Sequence, residues 1–196
     1  MLFATHASRT LAPAETPVSV GEAKDHLRVD AADEDALIAR LIAAATAHFD
    51  GWAGVLGRAL VTQTWAATYP RLASPLALPL APVASVASVT YADATGATQT
   101  LAADQWRLIG RADVAVIEVA EGVTWPQTAE RSDAVTVTFT AGYGGASDVP
   151  EALRHAILMA VHDLYDHRGE AVIGGGVRRV PLGVEALAAP YRRASF

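Results

Sequence analysis

The chain has 196 residues, is 52% hydrophobic, and sets 15 lysines and arginines against 21 aspartates and glutamates, for a formal charge of −6. This length and hydrophobicity suit one domain, with or without an inserted subdomain, and argue against a disordered chain. The acidic balance disfavours wrapping nucleic acid with the whole surface, and the lack of cysteine excludes disulfides and thiolate zinc sites.

In chain order, residues 1–17, with Pro13 and Pro17, read as a flexible N-terminal arm. Met1 to Leu11 is too polar for a secretory signal, and no apolar run approaches the ~20 residues of a spanning helix. Ser19-Val20-Gly21-Glu22 has the form of a capping box and predicts a short helix to about Arg28. The acids from Asp30 to Asp35 open a second helix, where negative charge suits the positive end of the dipole. Leu37, Ile38, Leu41, Ile42, Ala45 and Phe49 recur at helical spacing, continued by Trp52 and Leu56, and Gly54 and Gly57 mark the expected end.

The period then changes to two. Residues 60–69 are rich in β-branched and aromatic types and predict a strand. Pro70, Pro75, Pro79 and Pro82 break the next stretch into loop or edge. Val83 to Tyr91, then a turn at Asp93-Ala94-Thr95-Gly96, then Thr98 to Leu101 form an expected hairpin. Trp106–Ile109 with Val114–Val119 form another pair, and Ala134–Thr140 alternates cleanly. Beyond Gly142–Gly145, Asp148-Val149-Pro150-Glu151 reads as a capped start for a long helix ending near Gly169, with Leu153, Ile157, Val161 and Leu164 in its stripe. Gly174-Gly175-Gly176 is an expected hinge before a short amphipathic close with Leu182, Val184, Leu187 and Tyr191.

The expected fold class is α+β but mainly α: a small helical bundle with an inserted β-rich subdomain and a C-terminal docking tail. The expected divisions are 1–17 (arm), 18–58 (helical core), 59–141 (β-rich insertion), 148–169 (long helix) and 170–196 (docking segment). From His167 to Phe196 five arginines face two glutamates, a local charge of +3 on a body of −9. A hinged segment with apolar residues and arginines can order on a partner. The expected partner-binding residues are therefore Arg178, Arg179, Leu182, Val184, Leu187, Tyr191, Arg192 and Arg193. The competing reading is a tail folded on its own core.

Little enzyme chemistry is legible. His162 and Asp166 share a helix face four residues apart and could share a metal, but a third ligand on that face is missing and no HExxH pattern occurs. His155 lies roughly 10 Å away along the axis. Gly142–Gly145 stands where phosphate loops stand, between strand and helix, yet lacks their lysine and hydroxyl, so turn geometry explains it better. No catalytic residue, metal or cofactor is expected.

Several blocks occur in an order that resembles a family. They are Pro17–Lys24, His26–Val29, Asp33–Ile38, Gly57–Trp65, Leu78-Pro79, Pro82-Val83, Val135–Gly144, Val149–Leu153, Tyr165–Arg168 and Pro181–Leu187. Together they resemble the head–tail connector, or adaptor, proteins of long-tailed phages and gene transfer agents, over about residues 17–193. The resemblance implies a structural protein at the particle neck, assembled in the bacterial cytoplasm. It implies a homo-oligomeric ring, typically of twelve copies, under the portal. Its partners would be the portal and a head-completion or stopper protein, with DNA passing through the lumen. The alternatives are a metal-dependent enzyme using His162 and Asp166, or a nucleic-acid-binding protein using the basic tail.

Overall fold

Ser19 opens the first helix as its pattern predicts. In the computed structural model, which describes residues 1–110, 112–167 and 182–193, the Ser19 hydroxyl accepts the Glu22 amide at 3.2 Å. The Glu22 carboxylate returns to the Ser19 amide at 2.7 Å. Helix α1 (Val20–Leu27) then runs to Arg28, which closes it in the left-handed conformation. Helix α2 (Asp35–Phe49) follows a short 3-10 turn and buries Ile38, Ile42, Ala45 and Phe49. It stops before the expected glycines because Asp50 turns extended. The Asp50 carboxylate accepts the Leu60 amide at 2.8 Å and the Gln63 side-chain amide at 2.9 Å. Trp52 and Leu56 consequently lie beyond the helix.

The strands are β1 (Leu2–Phe3), β2 (His6–Leu11), β3 (Gln63–Tyr69), β4 (Leu76–Ala77), β5 (Val83–Ala92), β6 (Thr98–Thr100), β7 (Trp106–Ile109), β8 (Val116–Val119) and β9 (Val135–Ala141). One sheet has the order β1-β4-β8-β7, with β1 and β4 parallel and its other pairs antiparallel. The other is antiparallel in the order β2-β3-β9-β5-β6. β3 and β9 alternate buried and half-buried along their whole length, as a period of two requires.

Two expectations are corrected here. The mainly α bundle gives way to an α+β architecture, in which two sheets of four and five strands stand beside four short helices among the described residues. Residues 1–17 are not a free arm, because β1 and β2 edge the two sheets. The β layer is thus built from both sides of the first helices rather than from residues 59–141 alone. The proline-rich stretch, expected as loop or edge, supplies β4 and the fully buried Leu76, Leu78 and Leu80.

Two apolar cores result. The β core gathers Trp65, Tyr69, Leu76, Leu80, Val137 and Phe139. The helical core gathers Ile38, Ile42, Phe49 and Leu56 with Leu153 and Ile157 of helix α3 (Glu151–Asp166). Each such side chain contributes about 1.5–3 kcal/mol by leaving water. Where the sheets return to the helices, Tyr143 donates its amide to Leu60 at 2.9 Å and Thr62 donates to Gly144 at 2.8 Å. Gly142 has φ +137°, and a Cβ there would stand 2.6 Å from the Thr62 backbone. This close approach accounts for the glycine turn. The α3 start also differs from expectation: Asp148 accepts the Gly145 amide at 2.8 Å in a preceding 3-10 turn, and Pro150 caps α3 without a side-chain bond.

Candidate functional site

The C-terminal segment returns to the molecule. Helix α4 (Leu182–Ala188) buries Val184 and Ala188 in the helical core, and Leu187 and Tyr191 pack against the same cluster. A 3-10 turn, Ala189–Tyr191, leads to Arg192 and Arg193. Of the two readings of the tail, this described part follows the one in which it folds on its own core.

The segment is clasped by Arg58, which is only 6% exposed. A buried guanidinium needs an acceptor for each donor group, and two separate stretches of chain supply them. Nε donates to the Tyr191 carbonyl, Nη1 to the Ala112 carbonyl at 3.0 Å, and Nη2 to the Asp113 carboxylate. Asp113 is itself largely exposed, so the ion pair stays wet on one side. Arg193 adds a second tie: its amide donates to Leu56 at 3.0 Å and its Nη2 to the Leu78 carbonyl at 3.1 Å. Burial first, and then the charge of Arg58, pushes the Arg193 guanidinium pKa down. Burial likewise raises the Tyr143 hydroxyl pKa, opposed by neighbouring Arg58.

Clefts open on both sides of this segment. One, of about 460 Å³, is lined by Phe3, Trp52, Val55, Leu78, Pro79 and Arg193 among others. The other, of about 640 Å³, is lined by Arg58, Asp113, Tyr143, Pro190 and Tyr191 among others. The arrangement holds a segment in place and offers apolar and cationic surface beside it.

Solved structures of gene transfer agent (GTA) particles share this fold over nearly the full chain. A chain from the virion of a native GTA particle is 30% identical, with TM-score 0.76, and the match covers 98% of this chain and 97% of that one. The chain belongs to the head–tail connector, or adaptor, family of long-tailed phages and gene transfer agents. A chain from the neck of an empty GTA particle computed with C6 symmetry is 28% identical, with TM-score 0.78 and the same coverage. One from the neck of a native GTA particle computed with C12 symmetry is 25% identical, with TM-score 0.71, again over 98% and 97%. No family model and no curated protein matches the sequence.

Within this connector the expected partner-binding residues divide. Val184 is in the core, Leu187 and Tyr191 are half-buried against it, Arg193 is tied to Leu56 and Leu78, and Arg192 is exposed. Arg178, Arg179 and the expected hinge Gly174, Gly175 and Gly176 lie outside the described residues. Leu182 begins α4. Sequence reasoning missed Arg58 and Asp113. Arg58 stood in a quoted block, but its partners lie 55 and 133 residues away, so no spacing marks them.

The connector's histidines do meet across α1 and α3. The His26 ring stands edge-on to His155 and His162, at centroid distances of 5.9 and 5.6 Å. His162 Nε2 is 3.1 Å from Asp166, as the shared face predicts. Burial first, then the charges of His162 and His155, lowers the His26 pKa. Among the described residues, no group of three or more His, Asp or Glu side chains is placed to hold a metal ion. No helix among them is long and apolar enough to cross a membrane.

Proposed function

We propose that this protein is a structural component of a phage-like particle neck, where it forms a ring that joins the DNA-filled head to the tail. The observation that carries the reading is the match to GTA virion and neck chains over 98% of the sequence, including one at 30% identity. The C6 and C12 symmetries of the related necks support a ring. Such a ring sits under the portal, receives a stopper protein on its other face and passes DNA through its lumen without reading its sequence. We assign the portal contact to the C-terminal segment, through the exposed Arg192 and, outside the described residues, Arg178 and Arg179. Val184 belongs to the fold instead.

Deletion of the gene tests this reading. It should leave heads that package DNA but carry no tails. Tailed, transducing particles formed without the protein would contradict it.

A further inference from the structure

Among the described residues, large apolar side chains are exposed at eight positions. Six of them lie at two places. Met1 and Phe3 are next to and on β1, and Trp52 and Val55 line the cleft that Phe3 also lines. Ile109 and Val114 are at the end of β7 and in the connection to β8. Leu11, at the end of β2 in the other sheet, and Leu164, on α3, stand apart.

These two places are the opposite edges of the four-stranded sheet. β1 is one edge and β7 the other, and neither is covered by a further strand among the described residues. The register links them directly. Phe3 pairs with Ala77, Ala77 with Val116, and Val116 with Ile109, so all four stand in one row across the sheet. The inner two are buried, whereas Phe3 is 48% and Ile109 46% exposed. Residues in one cross-strand row share a face and contact each other when their strands are neighbours. Each end of the row therefore lacks a neighbour that the other end resembles. An open edge with apolar residues is a template for another strand, and soluble proteins usually blunt it with charged side chains or Pro. β1 has neither, and the one charge of β7, Arg107, stands opposite Glu118 of β8.

We propose that copies of this chain join edge to edge through this sheet, β1 of one copy lying along β7 of the next, so that Phe3 meets Ile109 of the neighbouring copy. The two edges differ and the contact is head to tail, which is the kind of interface that closes a ring. β1 runs parallel to β4, and both β4 and β7 run antiparallel to β8, so the added pair is parallel. Trp52 and Val55 wall the same side and extend the apolar contact, in keeping with the enrichment of aromatic residues at interface centres. The occupant is a second copy because the chain carries both complementary halves. The proposal rests on the neck-ring reading and adds which surfaces meet.

The test places a photoreactive phenylalanine analogue at position 3 and irradiates purified particles. The expected product has twice the mass of the chain, with the adduct mapping to residues 106–114 of another copy. Ile109→Asp in the same chain should lower its yield at least tenfold. A second probe, at position 109, should mark residues 2–4 or 52–55 of another copy, which covers the case in which the first variant fails to fold. Adducts solely with a different particle protein, or none from either probe while the chain is present in the particle, would overturn the proposal. Absence of the unmodified chain from the particle would remove the neck reading as well.

Discussion

Arg58 shows how much one side chain can hold. Its three donor groups bind the C-terminal segment and, at Ala112 and the exposed Asp113, the β7–β8 connection. Arg58→Ala leaves two carbonyls without that donor and opens space at the clasp. The expected cost is about 2–3 kcal/mol, read from denaturant unfolding. Asp113→Asn should cost under about 1 kcal/mol, because the Asp113 side chain is mostly in water. A second residue-scale expectation concerns His26. Its folded pKa lies below the ordinary histidine value because it is partly buried beside His155 and His162. The unfolded chain therefore takes up the proton first as pH falls. Stability should decline as pH drops through about 6.5 and level off below the folded pKa. His26→Gln should flatten that part of the curve in thermal melts at pH 7.5, 6.5 and 5.5. A wild-type curve that is already flat over this range would refute the assignment.

At the scale of elements, local chemistry was legible and long-range pairing was not. The capping box at Ser19 and Glu22, the Asp93–Gly96 turn and the alternation of β3 and β9 each lie within a few residues, and the structure shows them. Asp93 accepts from Thr95, Ala97 and Gln99, which holds its carboxyl down to about 2. β1, β2 and β4 were not legible as sheet strands. Two of them are two residues long, and their partners lie more than 30 residues away. Short strands carry little period, whereas α2 and α3 show theirs over four turns, so the helices were given too much weight. The C-terminal element had two readings because an amphipathic stripe fits a partner or its own core equally well. Its burial predicts that Val184→Asp will cost on the order of 3 kcal/mol and detach α4, since a carboxylate would enter a dry core. Glu185→Ala, at an exposed position of the same helix, should change stability by under about 0.5 kcal/mol. Hydrogen exchange across residues 182–193 distinguishes detachment from global unfolding.

For the whole molecule, the fold puts two sheets and a helical layer behind one clasped C-terminal segment, and leaves apolar residues at opposite sheet edges. A structural neck protein of the proposed kind needs such surfaces more than it needs a catalytic cleft, which is why composition and motif spacing said little about function here. The family was legible from ordered blocks, each too short to carry the inference alone. The most direct test of the central claim is a symmetric reconstruction of the neck of particles that contain this protein. The account predicts a ring between portal and tail whose density is filled by copies of this chain. A neck in which every ring is filled by other proteins would contradict it.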